Sequence, residues 1–176
     1  MKKILSALLI ATISFTLLTG CGKDNASNTD IPFSDFGWDA TQEEIENECG
    51  EYDEIYDGIY GGKALVYNKE YIGLPGQVVY MFNTDGKLAD IAWRTTNESD
   101  EVATAALTKV SKDLTEKYGD KVFDNTAETA LGGKWEYDNI HVLVNKVDIG
   151  DAYILQIAYL NQDTAKLGYI NDTEEK

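Results

Sequence analysis

The sequence predicts an α+β fold in which a single antiparallel β-sheet carries two helices packed on one face. Three observations lead there. Apolar residues recur at helical spacing in only two stretches, each closed by a glycine. Each stretch is followed by segments in which apolar and polar residues alternate, the pattern of half-buried strands. A Gly-Gly-Lys triplet recurs at 61–63 and 132–134, so the two halves read as a tandem αβββ/αββ repeat. Helices with one apolar stripe and a sheet with one apolar face bury both surfaces by stacking as two layers.

The chain has 176 residues and opens on a short positive stretch, Met1-Lys2-Lys3. Ile4 to Leu18 is an apolar run interrupted by Ser6, Thr12, Ser14 and Thr16. It falls short of the about 20 apolar residues a membrane-spanning helix needs, and fits the roughly 7–15-residue apolar core of a secretory signal. Leu18-Thr19-Gly20-Cys21 then resembles the bacterial lipobox, in which cleavage leaves the cysteine as first mature residue, carrying a thioether-linked diacylglycerol. The resemblance implies that residues 1–20 are a lipoprotein signal peptide and that Cys21 is the lipid attachment site. It also implies that the mature protein sits on the outer, extracytoplasmic face of the cell membrane. Acyl chains of the palmitate class contribute about 0.8 kcal/mol per buried methylene, so two suffice for stable anchoring and one alone is marginal. Residues 21–32 are small and polar and read as a flexible tether with a reach on the order of 20 Å. One domain is expected over 33–163, and 164–176 reads as a polar C-terminal tail.

Within the domain, Thr41 and Glu44 have the spacing of a capping box, and acids at Glu43 and Glu44 suit a helix N-terminus. Ile45 and Cys49 lie four apart on one face, and Gly50 is a natural stop, so a helix is expected over 41–49. Residues 51–63 form a Tyr- and acid-rich loop, and "ALVYN" (64–68) is a short strand. "GQVVYMF" and "KLADIAWRT" flank Asp85-Gly86 as a hairpin, with Val78, Tyr80 and Phe82 on one face and Ala89, Ile91 and Trp93 on one face of the return strand. Val102, Ala106, Val110, Leu114 and Tyr118 then recur every four residues, predicting a helix over about 99–118 that ends at Gly119. "KWEYDNIHVLVNKV" and "DAYILQIAYLN" close the domain as a second hairpin around Ile149-Gly150-Asp151.

A helix with a capping box, a terminal glycine and a β-meander, behind a lipobox, resembles the SmpA/BamE-like lipoproteins and the tandem β-lactamase-inhibitor-protein-like fold. "FGWDATQEEIENECG" (36–50) is also similar to the F-x-W-G-x-[ST]-x-E-E-[VI] opening of clostridial lipoproteins of uncharacterised type, with Asp39 where that opening carries glycine. The resemblance covers most of 36–160 at the level of pattern. It implies a domain that binds other proteins, an analogy of fold.

Composition narrows the chemistry. Removing Lys2 and Lys3 leaves 13 basic against 31 acidic residues, a mature charge of 13 − 31 = −18. Such a chain lacks the basic footprint of nucleic-acid binding, so no nucleic-acid partner is expected. It repels anionic headgroups, so membrane contact must come from the lipid anchor. With Cys21 committed to lipid, Cys49 is expected to fill core beside Ile45 as a structural thiol. His141 is the sole histidine; it alternates with Ile140 and Val142 and reads as a strand residue without a catalytic partner. No nucleophile elbow or phosphate loop is present. Glu51, Asp53, Glu54 and Asp57 lack the register of a calcium loop. No catalytic residue, metal site or cofactor is therefore assigned, and the protein reads as non-enzymatic. Tyr52, Tyr56, Tyr60, Tyr67 and Tyr71 cluster between the first helix and the first hairpin and are the candidate binding surface, since such side chains dominate recognition. The function expected is a lipid-anchored binding module for a protein or envelope component, acting through the sheet face or the 51–71 segment. The alternative is a cell-envelope glycan hydrolase with an acidic pair about 5–10 Å apart.

Overall fold

Eight strands form one fully antiparallel sheet in the computed structural model, which describes residues 31–127 and 129–166. The elements run α1 (Gln42–Cys49), β1 (Glu54–Asp57), β2 (Gly61–Asn68), β3 (Gln77–Asn83), β4 (Leu88–Asn97), α2 (Asp100–Tyr118), β5 (Phe123–Ala127), β6 (Ala130–Tyr137), β7 (Ile140–Asp148) and β8 (Tyr153–Asn161). Across the sheet the order is β1-β2-β3-β4-β8-β7-β6-β5. Each helix is thus followed by a meander of four strands. The last strands of the two meanders meet at the centre, from Asp90↔Leu160 to Asn97↔Tyr153.

The expected strand counts of three and two are corrected to four and four. β1 and β5 are edge strands of 4 and 5 residues with mostly exposed side chains, so neither carries an apolar alternation. β6 and β7, read from sequence as one segment, are split by a turn at Asp138, whose φ is 54°. Both Gly-Gly-Lys triplets fall on the second strand of their meander. Gly132 is required there: a Cβ would run into the Val144 carbonyl of β7. Gly132→Ala is expected to lower stability by about 3 kcal/mol through strand displacement, read as a lower urea midpoint.

The helices start where local chemistry demands. Thr41 Oγ1 accepts from the Glu44 amide at 3.2 Å and Glu44 Oε2 accepts from the Thr41 amide at 2.8 Å, closing the capping box. Those bonds to Thr41 hold the Glu44 carboxyl below its usual range. Ser99 caps α2 through the Val102 amide at 3.3 Å. Lys146 of β7 pins α2 to the sheet: its buried ammonium donates to Asp100 and to Thr104 Oγ1, and lies 5.0 Å from the Tyr153 ring centre.

One face of the sheet holds the main core. Ile45 of α1 and Ala106, Leu107, Val110 and Leu114 of α2 share one cluster with Tyr67, Val78, Tyr80, Trp93, Trp135 and Ile157, so both helices pack on that face. Among the described residues, the core already includes Ile31 and Phe33. Phe33 packs edge-on against Tyr159 and Phe36 against Tyr80. At the other end, Thr164 Oγ1 donates to the Leu88 carbonyl at 2.6 Å. Cys49 is half-buried against this core. Cys21, the expected signal peptide and most of the expected tether lie outside the described residues.

Candidate binding face

No helix or strand among the described residues covers the second face of the sheet. Its layout follows from register, because residues paired across neighbouring strands point to the same side. One row crosses all eight strands: Glu54, Val66, Val79, Ala92, Ala158, Leu143, Lys134 and Phe123. Its middle is low and apolar, and Val66, Val79, Ala92 and Ala158 are buried. A taller row runs beside it: Tyr56, Ala64, Met81, Asp90, Leu160, His141 and Glu136. On the other side lies a polar row, Asn68, Gln77, Arg94, Gln156 and Asn145. The face is therefore a shallow trough of small side chains. One wall combines apolar and ionisable groups, and the other is rich in carboxamides.

Asp90 is the unusual member. It is 5% exposed, and its Oδ1 is shut from solvent without a hydrogen-bond partner. Burial pushes its carboxyl up to about 7. The neighbouring positions on the face, Met81, Leu160 and Ala92, are apolar. Arg94 donates from Nε to Gln77 at 3.3 Å and lies 3.7 Å from Glu54. Glu136 receives Lys134 at 2.5 Å and stands 3.3 Å from His141 Nε2. The Lys134 hydrogen bond is the main reason its carboxyl lies below the usual range.

The five tyrosines do not form one surface. Tyr60 and Tyr67 are buried, and Tyr67 belongs to the helix-side core, with burial pushing its phenol up to about 12. Tyr71 is half-buried and meets Phe33 and Trp93 edge-on. Tyr56 packs on the opposite face, beside the trough, and Tyr52 is exposed. The segment is glycine-rich yet enters the core because it contains β1 and β2, and alternation along those strands sends successive side chains to opposite faces. His141 does have a partner, Glu136, placed directly opposite by the β6–β7 turn.

The acids of the 51–57 stretch are engaged separately. Asp53 accepts from the Asn68 amide and side chain at 2.7 Å each, and Asp57 binds Lys63 at 2.6 Å. Among the described residues no group of three or more His, Cys, Asp or Glu side chains could hold a metal ion. Nor, among them, is any helix long and apolar enough to cross a membrane. Asp90 and Glu136 lie three strands apart, about 14 Å at about 4.8 Å per strand.

Fold and face together define a class: an α+β protein with both helices on one side of an eight-stranded antiparallel sheet and a trough across the other. No protein-family model matches the chain, and comparison with curated proteins and with solved structures finds no match.

Proposed function

We propose that this protein is a lipid-anchored, extracytoplasmic, non-enzymatic binding module that recognises a protein or envelope component through the sheet face opposite its helices. The observation that carries the reading is the trough: a row of buried small apolar residues bounded by groups able to hydrogen-bond. Sheet faces of this kind suit an extended partner, whose side chains fill the floor while its backbone meets carboxamides. The SmpA/BamE-like and β-lactamase-inhibitor-protein-like resemblance points the same way by analogy. We also read the two αββββ halves as a tandem repeat, supported by the mirrored strand order and the paired Gly-Gly-Lys positions. The 51–71 segment contributes through Tyr56 and Tyr52, not as a tyrosine cluster. Leu143→Glu, which puts a charge on the trough, is expected to abolish capture of specific partners from solubilised membranes. Thr108→Glu, on the exposed side of α2, is expected to leave capture intact. Equal capture by both folded variants would reject the reading.

The anchor makes its own prediction. Cys21 can hold a lipid thioether or a disulfide to Cys49, because either bond uses its one sulfur. The mature protein is expected to gain the mass of a diacylglyceryl group, and Cys21→Ser to move it out of the detergent phase. An unlipidated chain lighter by two hydrogens than its reduced form would identify the disulfide and remove the anchor.

The glycan-hydrolase alternative has one observation in its favour, the raised Asp90 carboxyl. Its separation from Glu136 exceeds what an acidic pair tolerates. Cleavage of cell-wall glycan by the purified protein, lost in Asp90→Asn, would establish that alternative.

A further inference from the structure

We propose that Asp90 is the selective point of the trough and takes a cationic side chain, lysine or arginine, from an extended segment of a partner protein. The inference rests on the reading of this face as a binding surface and adds the chemistry of what it binds. Asp90 stands in β4, at the middle of the sheet, directly across from Met81 and Leu160. Side chains so placed have Cβ atoms about 4.5–5.5 Å apart. The carboxyl therefore stands between two apolar neighbours on this face.

Buried polar groups in native proteins are nearly always satisfied. Asp90 Oδ1 has no partner in the structure. Packing does not explain an acid here, since the floor beside it is Val79, Ala92 and Ala158. Nor does a resident cation answer it. Arg94, on the same strand, is held by Gln77 and Glu54; Lys134 and His141, from β6 and β7, face Glu136. β3 and β8 present Met81 and Leu160 beside it, and Lys146 is directed to α2.

An ammonium or guanidinium arriving on a partner would supply the missing donor as a charge-assisted hydrogen bond in an apolar setting, where such bonds are strongest. A net charge of −16 on the chain favours cationic approach over any distance at which charges are felt. The polypeptide source follows from the second wall: Gln77, Gln156 and Asn145 offer donors and acceptors in line, as a peptide backbone requires. Met81 is unbranched and flexible enough to move aside for a long side chain.

The test is calorimetric titration of the full chain with acetyl-Ala-Val-Lys-Val-Ala-amide and with its norleucine counterpart. Saturable binding of the lysine peptide is expected, at least about tenfold tighter than norleucine, with that margin lost in Asp90→Asn. Because the cation meets only an ionised carboxylate, lysine-peptide affinity should rise about tenfold or more from pH 5 to pH 8 in the wild type and stay flat in Asp90→Asn. Equal binding of the two peptides, both lost in Leu143→Glu, would overturn the cation inference while leaving the face a binding surface. Lysine-peptide binding that survives both Asp90→Asn and Leu143→Glu would overturn the inference and count against the face. No saturable binding, or occupation of the face by a second copy that the lysine peptide cannot displace, would also overturn it.

Discussion

Asp90→Asn is expected to stabilise the protein at pH 8, by up to about 4 kcal/mol, and to flatten its stability between pH 4 and pH 7. The cause is a carboxyl that burial pushes from 3.8 up to about 7. Below pH 4 the folded and unfolded chains both hold the proton. Between 4 and 7 the unfolded chain releases it while the folded chain keeps it, so stability falls as pH rises. Above 7 the full cost persists. Urea denaturation should show wild-type stability falling by about 2–3 kcal/mol from pH 5 to pH 8, with no such fall in Asp90→Asn. Glu44, Asp57, Asp100 and Glu136 act in the opposite sense. Each is held below its usual value by a hydrogen bond in the folded state, and each loses its contribution only as pH falls through that lowered value. Those four contributions change below about pH 5, so the fall in stability above pH 5 reports Asp90. A wild-type stability independent of pH over that range would show that the carboxyl is solvated.

Trp93→Ala is expected to cost about 3–5 kcal/mol, the usual loss on truncating a buried aromatic residue. Trp93 is fully buried at the sheet centre, its Nε1 donates to the Lys69 carbonyl at 2.8 Å, and its ring meets Tyr71 edge-on at 5.5 Å. Gly76 leaves the room this ring occupies, since a Cβ there would press into the indole. Truncation therefore removes apolar burial, leaves the Lys69 carbonyl without its donor and unseats Tyr71. Chemical denaturation is expected to shift to a much lower midpoint. A loss below about 1 kcal/mol would mean that the two meanders do not share the core this ring occupies.

Much of this architecture is legible in the sequence, for local reasons. The Thr41–Glu44 box, Gly50 and Gly119 announce the helices, and Asp85-Gly86 between alternating runs announces the central hairpin. What is not legible depends on partners far along the chain. β1 and β5 have no apolar pattern of their own and become strands only because β2 and β6 offer an edge. Tyr60 reads as surface because glycines surround it, yet it is buried, and strand alternation carries Tyr67 into the core beside Tyr80. Asp90 reads as the polar half of an ordinary alternation in "KLADIAW". Its apolar neighbours, Met81 and Leu160, are brought alongside by register alone. The Glu136–His141 pair could have been found by folding the sequence about Asp138-Asn139, the one cue that was present.

The most direct test of the trough as the binding surface is site-specific photocrosslinking in living cells. A photoreactive residue is placed at Leu143 on the trough or at Thr108 on the outer side of α2, and the adducts are identified by mass spectrometry. A discrete adduct from Leu143 and none from Thr108 is the expected result. An adduct from Thr108 alone, or the same adduct from both positions, would contradict it.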